Sequence, residues 1–453
     1  MAYVAYVTTL KNLRKHPNAD RLQLAECFGN TVCVSMEYVA DQVGVYFPTD
    51  GQLSMEFCEQ NGLLAVYVDG VNVSGGYMDA EKRNVKTIKL RGEKSDGLFL
   101  PLTCLAYTGV DIDTIKVGDT ISVVNGHEIC TKYIPKRNHK SHSNTSEGNR
   151  TRKKKVPVAP LFAEHADTEQ LAYNLSAFKP GDLVEITLKM HGTSQRTANL
   201  PRFDGYKRTL IDRILRREGV AQYNWGSVSG TRRVVLADFD GGYYGSNEFR
   251  EQHSKFFDGK LRKGETVYYE VVGFTTNGTP IMGDADNKKL NDKEFVKQYG
   301  KTTTFSYGCD PQGREGKPQS DIYVYRMTMT NEDGDVVEYT PDFMRYRCEQ
   351  MGVKTVPVLW YGLIPENPGA SYDDTITAGE WIKNVAERFY DGPDPIGKTH
   401  VREGVVVRII NRPKFAAYKH KNFSFKVLEG IIKEVADAPD MEEAQDVAEN
   451  GEE

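Results

Sequence analysis

"ITLKMHGTSQR", residues 186–196, decides how this chain is read. With Glu185 before it, "EITL" is a run of alternating and β-branched residues that predicts a strand. Lys189 stands at the end of that run. Gly192 then ends the strand and lets the backbone come close to another group. A lysine at the mouth of a strand, beside a glycine turn and the hydroxyls of Thr193 and Ser194, suits a phosphate-binding or nucleophilic site. The plainer reading is a surface lysine next to a turn, so the stretch must be weighed with the rest of the chain.

At 453 residues the chain has room for two to three domains and a large core. Its 39% hydrophobic and 27% charged content is that of an ordinary globular protein. No apolar run approaches the roughly 20 residues of a membrane span, and "MAYVAYVTTLKNLRKH" lacks the basic leader and long apolar core of a signal peptide. Neither membrane partner nor export is expected, and the expected location is the cytoplasm, that of a host if the source is viral. The seven cysteines are scattered and never spaced CxxC, which argues for a reducing compartment and against a disulfide framework or zinc site.

Residues 1–130 read as short strands between turns, among them "AYVAYVTTL", "LQLAECF", "NTVCVSM", "VGVYFP", "NVKTIKL" and "TISVVN", and predict a small barrel. Residues 131–158 read as a basic flexible linker, since nine of residues 132–155 are Lys or Arg against one acid, Glu147. Such a run suits nucleic-acid phosphates, a localisation signal, or simply a solvated tether. Residues 159–432 mix strands and helices. "TMTNEDGDVVEYT" predicts a hairpin at Asp333-Gly334. "TPDFMRYRCEQMG" predicts a helix capped by Thr340, with Pro341 at its first position and Gly352 beyond its end. "TAGEWIKNVAERFY" opens with a capping box from Thr377 to Glu380. Residues 433–453 form an acidic tail with the composition of a disordered segment.

Beyond Lys189, four strand-like runs carry charged or aromatic residues between apolar ones. Glu270 ends "ETVYYEVVGF", Tyr325 lies in "DIYVYRMTMT", Glu403 opens "VREGVVVRI", and "YKHKNFSFKVLEG" is read as a strand ending at Lys426. Charges flanked by apolar neighbours on strands point into a cleft or are paired, because burying them alone is costly.

In this order the residues resemble the covalent nucleotidyltransferase superfamily of ATP-dependent ligases and capping enzymes. Lys189-Met190-His191-Gly192 matches its KxxG motif. Glu270, "YVYRM", Glu403-Gly404-Val405-Val406-Val407 and "FSFKVL" match the motifs that follow. The longer "KMHGTS" is similar to RNA ligases, which favour K-x-H-G-T-[NS]. The resemblance spans residues 180–430 and implies an adenylation domain of antiparallel sheets with helices, giving an α+β chain. Two departures stand out. Many members have two lysines one residue apart in the last motif, where this chain has Ser424, so Lys419 and Lys421 are upstream substitutes. Leu188 precedes the nucleophile where related ligases carry glutamate, and Glu185 is the nearest replacement.

The resemblance also implies roles. Lys189 attacks the α-phosphate of ATP to give a lysyl-AMP and releases pyrophosphate. Attack needs the neutral amine, which neighbouring cations and metal ions favour. Lys426 supplies one cation and holds the α-phosphate. Glu270 accepts a ribose hydroxyl, and Tyr325 stacks on adenine. Arg232 or Arg233 contacts the nucleotide, and Glu403 helps bind Mg2+ or Mn2+. His191 either orients the site or coordinates a phosphate, Gly192 admits the nucleotide, and Lys421 assists from upstream.

"HPNADRLQLAE", from His16, and "KLRGEKSDGLFLPL", residues 89–102, resemble the OB-fold found in tRNA-binding domains. An OB domain before the core, with only 27 residues after Lys426, resembles the fifth RNA ligase family rather than DNA ligases or capping enzymes. The expectation is a monomeric ATP-dependent RNA ligase that seals 3'-OH to 5'-phosphate ends at nicks in duplex RNA or RNA-containing duplexes. The rivals are a DNA ligase, a GTP-dependent capping enzyme, and an inactive RNA-binding protein.

Overall fold

The computed structural model describes residues 3–69, 71–74, 76–133, 158–215, 219–236, 239, 244, 247–371 and 376–434. Most of the basic linker and of the acidic tail expected from the sequence lies outside them. The chain divides into two compact units. One comprises Met1–Lys136 with Lys289–Asn291 and Lys426–Ala436, the other Arg137–Lys288 with Asp292–Phe425 and Asp437–Glu453.

The first unit is built from short antiparallel strands. A four-stranded sheet runs in the order Leu98–Pro101, Val43–Phe47, Ala5–Thr9, Thr120–Ile121, and a three-stranded sheet pairs Lys11–Lys15, Leu22–Cys27 and Asn30–Ser35. Val7, Val45, Phe47, Leu53, Phe57, Leu105 and Ile129 are fully buried in one core. The two stretches that resemble OB-folds hold each other. His16 is fully buried, its Nε2 lies 3.0 Å from the carbonyl oxygen of Leu90, and its Nδ1 accepts the Asn18 N–H at 3.0 Å. Asn18 Nδ2 donates to the Arg91 carbonyl at 2.9 Å, which fixes the turn of the Thr87–Leu90 and Glu93–Asp96 ribbon.

The second unit contains two antiparallel sheets. The five-stranded sheet has the order Glu169–Gln170, Ala416–Lys421, Gly404–Ile409, Leu183–Lys189, Val358–Leu363, with one parallel pair at Glu169–Gln170. The six-stranded sheet has the order Val235–Leu236, Val220–Gly230, Thr193–Lys207, Glu265–Gly273, Ser320–Thr330, Val336–Glu338. Alternation gives the smaller sheet two chemically different faces. Val184, Ile186, Val405, Val407 and Ile409 pack on Ile382, Val385 and Ala386 of the helix Ala378–Glu387. Each such side chain contributes about 1.5–3 kcal/mol by leaving water. The other face carries Glu185, Thr187 and Lys189 beside Gly404, Val406 and Arg408, and then Ala417, Lys419 and Lys421.

The expected caps form. Thr377 and Glu380 make a reciprocal capping box, and Thr340 caps a helix with Pro341 at its start and Gly352 in the left-handed conformation at its end. The hairpin turns at Gly334, with Asn331 N–H donating to Asp335 O at 3.0 Å. One element differs. "FSFKVL" lies within a helix, Phe423–Glu434, and the preceding "AAYKHK" is the strand. Phe425 and Leu428, three residues apart, are both fully buried, which is helical spacing that a period-two reading misassigns.

Candidate active site

Lys189 is the last residue of one sheet, and Thr193 is the first of the other. Only Met190, His191 and Gly192 lie between them, so the turn carrying the lysine is also the crossing from sheet to sheet. Gly192 has no room for a side chain, since a Cβ there would stand 2.4 Å from the Val271 carbonyl oxygen. The close approach expected of this glycine is therefore to the neighbouring strand.

Register places the charges. Lys189 is opposite Gly404, and Gly404 is opposite Lys421, so the two lysines flank a residue without a side chain. Glu403 precedes Gly404 and sends its carboxylate to both. Its Oε1 lies 2.9 Å from Lys189 Nζ and 3.5 Å from Lys421 Nζ, and its Oε2 lies 3.7 Å from His191 Nδ1. The Glu403 side chain is 2% exposed. A carboxylate so buried needs cations beside it, and the two lysines are those cations.

Lys426, expected in this position from a strand, sits on the helix Phe423–Glu434, and its ammonium pairs with Asp96. Lys421 is the lysine at Glu403. The strand "AAYKHK" carries Lys419 and Lys421, one residue apart, on one face. Reading this stretch for alternation finds them.

The six-stranded sheet places the other residues. Glu270 is opposite Ser194 and next to Tyr323 across the following pair of strands. The register slips between Tyr268 and Tyr269, so Tyr325 is the extra residue of a β-bulge. Bulges re-aim side chains, and the Tyr325 hydroxyl here meets Ser194 Oγ at 2.9 Å. The Tyr325 ring packs against His165 with centroids 5.4 Å apart. Both ring nitrogens of His165 are buried without a hydrogen-bond partner. Burial, aided by Arg232 and Arg326, lowers its pKa to about 3, so the imidazole is neutral.

Arg232 and Arg233 both reach Asp167, Arg233 at 3.4 Å. Glu185 pairs with Arg345. The hydroxyl of Thr193 accepts from Arg250 Nη2 at 2.6 Å, and Arg250 Nη1 donates to the Ser194 carbonyl at 3.1 Å. Arg250 is fully buried beneath the strand that follows Lys189 and its turn. Arg250, His165 and Tyr307, which bonds the His191 amide at 2.7 Å, belong to no motif, and the sequence carries no signal for them.

No group of three or more His, Cys, Asp or Glu placed to hold a metal occurs among the described residues. The donor set nevertheless fits a divalent cation of the kind held by one or two carboxylates together with substrate oxygens and water. Glu403 Oε2 is a buried carboxylate oxygen that accepts no hydrogen bond.

No protein-family model matches the chain, and no curated protein matches its sequence. Solved structures do match. An RNA ligase of Naegleria gruberi with PPi is 16% identical and matches at a TM-score of 0.53, covering 93% of this chain and 97% of that one. A mutant of that ligase with AMP and Mn is 17% identical with the same TM-score and coverage, and another with ATP and Mn is 16% identical at 0.51. The chain therefore has the α+β fold of these RNA ligases along nearly its whole length.

Proposed function

We propose that this protein is an ATP-dependent RNA ligase joining 3'-OH and 5'-phosphate ends, at nicks in duplex RNA or RNA-containing duplexes, through a lysyl-AMP on Lys189. The carrying observation is the convergence of Lys189, Lys421 and His191 on the buried carboxylate of Glu403, at 2.9, 3.5 and 3.7 Å. The shared fold supports the reading, because the ligases with that fold were solved with ATP, AMP, PPi and Mn.

In the first step Lys189 Nζ attacks the α-phosphorus of ATP. A P–N bond forms, the bond to the bridging oxygen breaks, and pyrophosphate leaves. Lys421, on the same face of the sheet, supplies positive charge to the phosphate oxygens. Glu270 faces the ribose and Tyr325 the base. A bound Mg2+ or Mn2+, held by Glu403, would neutralise phosphate charge. In the second step an RNA 5'-phosphate oxygen attacks the same phosphorus, and Lys189 leaves as the amine. In the third, a 3'-OH displaces AMP and the strands join. The first unit, read as an OB domain, and the basic run at 132–155 hold the RNA. The protein acts as a monomer in the cytoplasm.

Incubation of the full chain with α-labelled ATP and Mn2+, followed by denaturing electrophoresis, tests this. Label is expected on the chain from ATP and not from GTP. Label from GTP alone points to a capping enzyme. Absence of label from either nucleotide overturns the proposal.

A further inference from the structure

We infer that Tyr307 is a positioning residue for the nucleophile, its phenol oxygen holding the turn that carries Lys189. This rests on the reading of Lys189 as the residue that becomes adenylylated.

The turn needs an anchor. Ladder pairing on one sheet stops at Lys189 and resumes on the other at Thr193. The amide of His191 lies between, in a site where a missing partner would leave a buried N–H unsatisfied. Tyr307 Oη accepts that N–H at 2.7 Å. The His191 ring is gripped by the same segment, with its centroid 4.6 Å from that of Phe305.

Tyr307 is itself fixed at some conformational cost. It is 3% exposed, and its φ of 50° is left-handed, a region that a bulky residue enters only when its surroundings impose it. Those surroundings are the loop 394–400. The buried Asp394 carboxylate accepts the backbone N–H groups of Ile396, Gly397 and Lys398 and so shapes the loop. Gly397 then lies so close that a Cβ on it would stand 2.6 Å from Gly308 N and 3.0 Å from Tyr307 C. The fully buried His400 wedges its imidazole against both Tyr307, at 4.5 Å, and Phe305, at 5.1 Å. Burial and the nearby carboxylates of Glu403, Asp394 and Glu270 keep the phenol protonated. The anchor is therefore insensitive to working pH.

With three residues between two sheets, a shift of the His191 amide moves Lys189 directly. Misplacement of a reacting group by about 1 Å can cost on the order of a hundredfold in rate. Tyr307→Phe keeps the ring and removes only the acceptor. In single-turnover adenylylation of the full chain, Tyr307→Phe is expected to lower the rate at saturating ATP by about tenfold or more. The half-saturating ATP concentration should stay close to wild type, and the melting temperature should fall by only a few degrees, the cost of one unsatisfied buried N–H. Pyrophosphate-driven release from the pre-labelled chain should slow by the same factor, because the reverse step uses the same geometry. Gly397→Ala, which keeps the hydroxyl but displaces Tyr307, should lower the rate in the same way with half-saturation unchanged, and should lower the melting temperature further because its Cβ meets backbone. Hydrogen exchange at the His191 amide should accelerate in Tyr307→Phe whatever the activity. A wild-type rate in Tyr307→Phe, a defect confined to half-saturation, or unchanged His191 protection overturns the inference. Failure of the wild type to take up label would instead sink the ligase reading, with the exchange experiment still deciding the role of Tyr307.

Discussion

Gly404 is the register partner of both Lys189 and Lys421, on the strands to either side of it. The missing side chain lets the Glu403 carboxylate be shared by the two lysines. A Cβ at Gly404 would stand 2.1 Å from the His420 carbonyl oxygen, and its φ of 152° disfavours any other residue. Gly404→Ala is expected to destabilise the chain by about 2 kcal/mol and to abolish labelling by ATP. Urea unfolding and the labelling assay check the two parts separately.

Lys189→Ala should abolish label outright, because no other residue forms the phosphoramidate. Persistence of label on this variant, located by peptide mapping, would put the nucleophile elsewhere.

Lys421 and Lys426 should separate cleanly. Removal of one preorganised charge from a reacting phosphate costs on the order of 3 kcal/mol, about a hundredfold in rate. Lys421→Ala and Glu403→Ala should each show a loss of that size. Lys426→Ala breaks the pair with Asp96, whose other oxygen accepts the Thr87 hydroxyl at 2.7 Å. Its effect should fall on stability, with label formed at a near-normal rate. Equal rate losses in Lys421→Ala and Lys426→Ala would overturn the assignment.

His16→Ala should destabilise the first unit by about 1–3 kcal/mol, since it removes a fully buried imidazole that bridges the half-buried Leu90 carbonyl and the Asn18 amide. Adenylylation should survive at temperatures where the variant is folded, and sealing of nicked RNA should fall. Parallel labelling and nick-sealing assays decide this.

Acid should weaken the fold partly through His165. Its pKa in the folded chain is lowered from the usual 6.5 to about 3. Between those two values the unfolded chain binds the proton and the folded chain does not. Stability from this group is thus complete above pH 6.5 and falls as pH drops toward 3. His165→Gln should flatten the decline in urea midpoint between about pH 7 and 5, where the histidine accounts for about 1–2 kcal/mol.

How far the sequence can be read depends on the kind of signal. Lys189 and Glu403 can be placed from the sequence because one ends a strand and the other immediately precedes one, beside glycines that are local; Glu270, expected at a strand end, lies inside the strand Glu265–Gly273. Thr377, Thr340 and Gly334 are legible for the same reason, since caps and turns are short-range chemistry. Lys426 is read into a strand rather than a helix because "FSFKVL" is apolar enough to suit either period. Tyr325 carries no signal of its bulge, which exists only relative to Tyr268 and Tyr269 on the next strand. Arg250 and Tyr307 are invisible for a related reason. Each is hydrogen-bonded to the turn after Lys189 or the strand it opens from more than fifty residues away in the chain, and no spacing rule spans that distance.

The three-residue crossing between the sheets bears on how such a chain can diverge. Residues 183–189 are locked in register on one sheet and residues 193–198 on the other. A side chain here can be exchanged at the cost of its own contacts. A deleted or inserted residue would turn every following side chain to the opposite face of its strand, sending Ser194 away from Tyr325. Lineages of this protein should therefore accumulate substitutions through residues 183–198 and almost no changes in length.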